Sequence, residues 1–307
     1  MEVLGSLGIK LKKRWGQNCM INRGIRGKMI NLLDPEPQEL IWEIGPGLGA
    51  LTESLLKRTR KLCIFEIDWK IVRYLEKKFA NHQDCRVIPG DFLKTWKAER
   101  EIVGEPQKVI GNLPYNSASA IIAAFAEEAF SPIKSVFTVQ KELAARMVAK
   151  PRSKNYSSFS VLSQTAFRVS LKGDIQPGSF YPEPGVVSSI VELVPRWDVT
   201  IEMDRRLFFT IIRGFFSSRR KTLKNNLLLV TFSDRSRTDP ARNGDLLLRA
   251  CDEAGLDTSR RAEDFSPEDF LRLPEWINRL THEKLTDSGR ISGSDRISGS
   301  GRISKEP

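Results

Sequence analysis

The 307-residue chain is predicted to be an α/β protein, a doubly wound, mostly parallel sheet followed by a small all-helical C-terminal domain. Three observations predict this. From residue 39 short apolar runs alternate with segments of helical spacing. A glycine-rich turn, Gly45-Pro46-Gly47-Leu48-Gly49, follows the first of those runs. After Pro195 the strand-like runs stop and amphipathic helical segments take over.

Residues 1–38 read as an N-terminal arm. Glu39–Gly45 reads as a buried strand, followed by the glycine turn and a helix at Leu51–Arg58. Lys61–Asp68 is a second strand, and Trp69–Phe79 a helix with apolar residues at helical spacing. Cys85–Phe92 is a third strand with its exit loop, and Lys108–Tyr115 a fourth. Ala118–Phe130 is helical, and Ser135–Val148 is a strand running into a helix. Phe159–Ser170 and Ser188–Pro195 read as late strands, which closes a domain over 39–199. Arg205–Leu229, Gly244–Leu256 and Ser266–Leu280 are helical and form a second domain over 200–285. From Thr286 the chain turns polar, and Arg-Ile-Ser recurs at 290, 296 and 302. Three copies so poor in apolar residues build no core, so 286–307 read as a disordered tail.

Composition narrows the classes. Hydrophobic residues make up 40% of the chain, enough for packed cores, yet no run approaches the ~18 apolar residues of a membrane span. Met1–Lys13 has no apolar run before a small-residue cleavage site, so no secretion signal is expected. The four cysteines form no Cys-x-x-Cys pair, which argues for no metal site and for a reducing cytoplasm. Both histidines, His82 and His282, lie in polar stretches and are poor candidates for a general base. The net charge of +11 favours an anionic partner, nucleic acid above all.

The glycine turn lets backbone N–H groups and a helix N-terminus approach a ligand closely. Glu66 follows 21 residues after Gly45, at the end of the second strand, where an acid accepts from ribose hydroxyls. Alone, these features serve NAD and S-adenosylmethionine equally well. Two further segments separate them. Asp91, after Gly90, is placed to accept from an adenine amine, with Phe92 packing near the ring. Asn112-Leu113-Pro114-Tyr115 closes the fourth strand. All four segments sit at carboxyl ends of strands, where open parallel sheets place their ligands.

The exocyclic amine of adenine is a poor nucleophile, because its lone pair is delocalised into the ring. Two acceptors that take its two N–H bonds draw the lone pair out of the ring plane. The Asn112 side-chain oxygen is one, and a backbone carbonyl fixed by Pro114 is the other. Tyr115 can stack on the base. Methyl transfer from a sulfonium needs in-line geometry more than a strong base, so the lack of an eligible histidine is no obstacle.

At this point the chain resembles a known family, the ribosomal RNA adenine dimethyltransferases, in the branch that modifies the small subunit. The resemblance covers about residues 10–282. Lys12-Lys13-Arg14-Trp15-Gly16-Gln17-Asn18-Cys19-Met20 is similar to the family pattern Lys-Lys-x-Leu-Gly-Gln-Asn-Phe-Leu. Glu43–Thr52, Glu66, Asp91 and Asn112–Tyr115 match next, followed by Val139–Glu142 and Tyr156–Ser158. Phe180–Ser188 matches Phe-x-Pro-x-Pro-x-Val-x-Ser, and Arg219–Leu223 and Arg261–Glu263 fall in the helical region. Trp15, Cys19 and Met20 stand where the family has Leu, Phe and Leu.

The resemblance implies a Rossmann-like S-adenosylmethionine-dependent methyltransferase fold, with the N-terminal arm over the cofactor site. It implies cofactor contacts at Asn18, Met20, Gly45, Gly47, Glu66, Asp91 and Asn112. It implies methyl-transfer roles for Asn112, Leu113, Pro114 and Tyr115, with Phe180 stacking on the base opposite Tyr115. The implied reaction is N6,N6-dimethylation of two adjacent adenines in a hairpin loop near the 3′ end of small-subunit (16S) RNA. The implied substrate is a late pre-30S assembly intermediate.

Between Arg205 and Lys224 lie seven basic residues and no acidic one, with Phe208, Phe209, Phe215 and Phe216 as the core face of the same helices. Arg219, Arg220 and Lys221 in these helices, with Lys12, Lys13 and Arg14 in the arm, are the candidate RNA contacts. Binding is expected to be steeply salt-dependent. Nothing demands a dimer, so a monomer with no membrane partner is expected.

Three other readings share these features. One is a large-subunit (23S) adenine methyltransferase of the macrolide-resistance type. The second is an NAD-dependent oxidoreductase, which leaves Asn112–Tyr115 without a role. The third is a non-catalytic assembly factor, against which intact Glu66 and Asn112 argue.

Overall fold

The computed structural model describes residues 18–229 and 244–291, in two compact units that divide between Thr200 and Ile201. Lys12, Lys13 and Arg14 lie outside the described residues, as does the tail from residue 292.

The first unit opens with β1 (Cys19–Met20) and α1 (Arg23–Leu33), both inside the segment expected to be an arm. The Asn22 side chain caps α1 by accepting from the Ile25 N–H at 3.2 Å. Met29, Ile30 and Leu33 give the helix one buried face. Then follow β2 (Leu40–Ile44), α2 (Thr52–Leu55), β3 (Lys61–Glu66), α3 (Trp69–Lys78) and β4 (Cys85–Pro89). Next come α4 (Phe92–Val103), β5 (Lys108–Asn112), α5 (Ala118–Glu127), β6 (Lys134–Gln140) and α6 (Lys141–Met147). The unit closes with α7 (Ser158–Ala166), β7 (Phe167–Ile175), β8 (Phe180–Tyr181) and β9 (Ser188–Pro195).

Seven strands form one sheet in the order β4-β3-β2-β5-β6-β9-β7. The first five are parallel, and β9 runs antiparallel between β6 and β7. Central strands such as β2 and β3 are buried on both faces, which explains their unbroken apolar runs. On one face Trp42 stacks on Phe130 at 5.5 Å, with Phe65 and Phe125 in the same aromatic cluster. The strand order reverses between β2 and β5, and the turns leaving these strands meet at that switch point.

Besides α1, further segments differ from expectation. α4 occupies a stretch with no helix expected, and Phe92, Trp96 and Glu99 form its buried face. Phe159–Ser170, read as a strand, is α7 leading into β7. Seven of the nine residues of α7 are buried, so the helix shows little of the amphipathic signal that separates helix from strand. The last helix runs to Ile291, past the expected tail boundary at Thr286.

The second unit is helical. It comprises α8 (Arg205–Phe215), α9 (Leu223–Leu229), α10 (Gly244–Glu253), α11 (Pro267–Phe270) and α12 (Leu273–Ile291). Phe208, Phe209 and Phe215 are buried, and Phe215 stacks on Phe270 at 5.8 Å. Among the described residues no helix is long and apolar enough to cross a membrane.

Candidate cofactor and base site

A cleft of about 310 Å³ opens at the carboxyl ends of β2, β3, β4 and β5, a volume typical of small-molecule sites. Asn18, Met20, Gly45, Gly47, Glu66, Asp91, Asn112 and Pro114 all line it. The parallel sheet thus brings together residues spread over almost a hundred positions of sequence.

The floor is the turn after β2. Gly45 has φ 71° and Gly47 φ 56°, the left-handed region that favours glycine. A Cβ at Gly45 would stand 3.3 Å from the Asn112 carbonyl oxygen, and one at Gly47 would stand 3.2 Å from Cys19 Sγ. The turn is therefore a cradle in which bare backbone faces the cleft.

Glu43 and Glu66 flank this cradle. The Thr52 hydroxyl donates to Glu43 Oε2 at 2.6 Å. Burial pushes the Glu43 carboxyl up to about 8, partly offset by that hydrogen bond. The Glu66 carboxyl accepts from the Asp68 N–H at 2.9 Å and from the backbone of Gly47. Burial pushes it up to about 7, against those hydrogen bonds. Asp91 is half-buried and caps α4 by accepting from the Leu93 N–H at 3.1 Å.

Asn112 is held at both ends of its amide. Nδ2 donates to the Asn18 carbonyl at 2.5 Å, and Oδ1 accepts from the Thr138 hydroxyl. One of the two lone pairs of Oδ1 is left for a further donor. The Pro114 carbonyl takes the N–H groups of Ser117 and Ala118 as α5 begins. Leu113 is 1% exposed, backbone and side chain together, and it packs in the core behind the cleft-lining Asn112 and Pro114. The half-buried Tyr115 hydroxyl bonds to Ser188 Oγ, and Ser188 is fully buried at the start of β9.

Phe180, expected to stack on the base, presents no open ring face in this structure. It is 1% exposed and packs in the core cluster with Met20, Ile175 and Ile190. Its strand pairs antiparallel with β1, Met20 opposite Phe180 and Cys19 opposite Tyr181. Alternation along so short a ribbon buries Phe180 and exposes Tyr181.

The basic segment Arg219-Arg220-Lys221 is a turn between α8 and α9 rather than part of a helix. Asn226 organises that turn, since its Nδ2 donates to the carbonyls of Phe215 and Ser218 and its Oδ1 accepts from the Ser218 N–H. Arg219 pairs with Glu263 at 3.0 Å, while Arg220 and Lys221 are exposed.

Sequence reasoning passed over Thr138 and α1, and it met Glu43 and Ser188 only inside matched segments, without their partners Thr52 and Tyr115. Thr138 and Ser188 act through neighbours distant in sequence, and no local motif marks such a partner.

The comparisons with known proteins point to one family. The profile of the ribosomal RNA adenine dimethylase family matches residues 8–278. A "Ribosomal RNA small subunit methyltransferase A" of Borreliella burgdorferi is 43% identical over 277 residues, 90% of this chain and 92% of the relative. Its counterpart in Treponema pallidum is 38% identical over 279 residues, 91% of this chain and 95% of the relative. A crystal structure of a dimethyladenosine transferase from Plasmodium falciparum superposes with a TM-score of 0.69 at 23% identity, covering 86% of this chain and 98% of that one. The 23S rRNA methyltransferase ErmE superposes with a TM-score of 0.57 at 24% identity, covering 85% and 100%. At those identities the structural likeness speaks to the fold alone, and it bears out the expected Rossmann-like architecture. With the profile spanning most of its length and relatives this similar, the chain belongs to the ribosomal RNA adenine dimethylase family.

Proposed function

We propose that this chain dimethylates the N6 amines of two adjacent adenines in a hairpin loop near the 3′ end of 16S RNA, acting on a late pre-30S particle. Family membership makes it a ribosomal RNA methyltransferase with S-adenosylmethionine as donor. The observation that carries the finer reading is Asn112, held at both ends beside a cleft whose polar groups suit that cofactor. Glu66 offers acceptors for ribose hydroxyls, Asp91 one for the adenine amine, and the glycine cradle a bare backbone. When bound, S-adenosylmethionine supplies an electrophilic methyl group carried on a sulfonium sulfur.

The protein's part is to present the target nitrogen. Asn112 Oδ1, oriented by Thr138, accepts one N–H of the adenine amine. A backbone carbonyl fixed by Pro114 accepts the other. Both acceptors draw the lone pair out of the ring plane and toward the methyl group. Tyr115, tethered to Ser188, supplies a stacking face worth ~1–3 kcal/mol. Phe180 has no part in this reading. After transfer the nitrogen is cationic and loses its proton readily, so no strong base is required. A loop adenine is already unpaired, which lowers the cost of presenting it.

Exposed Arg220 and Lys221 suit RNA phosphates, and Lys12, Lys13 and Arg14 supply a second basic cluster. The reading is of a cytoplasmic monomer, with the proposed methyl-transfer residues all in the first unit.

The test uses labelled S-adenosylmethionine and small subunits from cells lacking the modification, followed by mapping of methylated bases. Label is expected on two adjacent adenines near the 3′ end. Asn112→Ala is expected to keep its fold, with a thermal midpoint lowered by the loss of the Asn18 and Thr138 hydrogen bonds, and to lose transfer by about 100-fold or more. Label on large-subunit RNA instead would overturn the choice of substrate. Label on neither would overturn the proposed transfer.

A further inference from the structure

The charges along the cleft sort by sign and by place. Glu43, Glu66 and Asp91 bring three carboxyl groups from the ends of β2, β3 and β4. Among the described residues that line the cleft, Arg26 carries the only positive charge. It comes from α1, an element with no counterpart in the βα pattern, which packs against α2 beyond the glycine cradle.

The sheet order sets the direction of a bound cofactor. With its adenine at Asp91 and its ribose at Glu66, it passes from β4 to β3 and onto the turn after β2. Its amino-acid tail would then lie over Gly45 and Gly47, beside β1, whose Cys19 approaches Gly47 and whose Met20 carbonyl holds Arg26. That tail ends in a carboxylate. Beside Asp91, and beside Glu66 and Glu43 as they ionise above about pH 7 and 8, such an anion is repelled unless a cation meets it.

We propose that Arg26 binds the α-carboxylate of S-adenosylmethionine and makes the cleft selective for the carboxylate-bearing sulfonium over one that lacks it. The inference rests on the cofactor reading given above. Three observations carry it. Arg26 Nη1 donates to the Met20 carbonyl at 3.3 Å, which fixes the guanidinium against β1 and uses one of its five N–H donors. The remaining fork matches a carboxylate in shape as well as charge. The acid that bears on Arg26, Glu53, is already paired with Lys78 at 2.6 Å. Partial burial and the nearby Arg23 both work against the guanidinium charge. An anion at this place would relieve both effects.

The test is calorimetric binding of S-adenosylmethionine and of decarboxylated S-adenosylmethionine to the full chain. It compares the wild type with Arg26→Met, which keeps an apolar stem, and Arg26→Lys. The wild type is expected to prefer the carboxylate form by about tenfold. Arg26→Met is expected to weaken S-adenosylmethionine by about tenfold and to leave the decarboxylated form within about twofold. Arg26→Lys should fall between, since a point charge replaces the fork. If Arg26→Met weakens both compounds equally, Arg26 serves only to hold Met20 and the inference falls. It falls also if neither affinity changes. If the wild type binds neither compound, the cofactor reading itself fails, an outcome distinct from the other two.

Discussion

Glu43 in β2 and Glu66 at the end of β3 flank the glycine turn, and burial raises both, to about 8 and about 7. An ionised carboxylate is the stronger acceptor for ribose hydroxyls. Cofactor affinity is therefore expected to rise from about pH 6 to about pH 8.5, with protons released on binding near pH 7. Stability runs the other way. A carboxyl raised from 4.5 holds a proton in the folded chain that the unfolded chain has lost, so these two groups erode stability as pH climbs from about 4.5 to about 8. Calorimetry in two buffers of different ionisation enthalpy reads the proton release. Glu66→Gln should reduce that release, and a pH-independent affinity would sink the linkage. Asn112 was visible in the sequence as a residue type in a motif. Its orienting partners were not, because Thr138 lies 26 residues away and Asn18 lies 94 away.

At the scale of elements, the β1–β8 ribbon decides what the Phe180 segment does. A two-residue strand leaves no choice of face once Met20 and Phe180 pair inward. Phe180→Ala is expected to cost about 3–5 kcal/mol of stability, as removal of a buried aromatic ring does. A denaturant titration should show a lower midpoint at unchanged slope. Normal stability with a selective loss of transfer would restore Phe180 to the base site. The helices α1 and α4 escaped notice for a related reason. Each presents one narrow apolar face within a polar stretch, and the neighbouring sheet decides that the face is buried. In α7 the opposite holds, since burial on nearly every side erased the periodicity that would have identified a helix.

Across the whole molecule the net charge of +11 shapes how RNA is met. In the α8–α9 turn, Arg219 is held by Glu263, whereas Arg220 and Lys221 face solvent. Binding to small-subunit RNA is expected to weaken steeply with salt. Arg220→Ala and Lys221→Ala should each lower the slope of log K against log salt by about 1. Arg219→Ala should also cost up to ~1 kcal/mol of stability through its exposed ion pair. Unchanged slopes in the Arg220 and Lys221 variants would remove this turn from the RNA contact surface.

The sequence by itself determined the parallel sheet, the glycine turn, the acids and Asn112 at strand ends, and the family. These are local signals, because strand periodicity, turn chemistry and motif spacing are all written over a few consecutive residues. Only the tertiary structure decided that Phe180 is core, that the basic segment after α8 is a turn, that Thr138 and Asn18 orient Asn112, and that Arg26 lines the cleft. Those outcomes depend on which faces the sheet buries and which distant groups hydrogen bonds bring together. Burial and long-range pairing are properties of the packed chain, and no short stretch of residues encodes them alone.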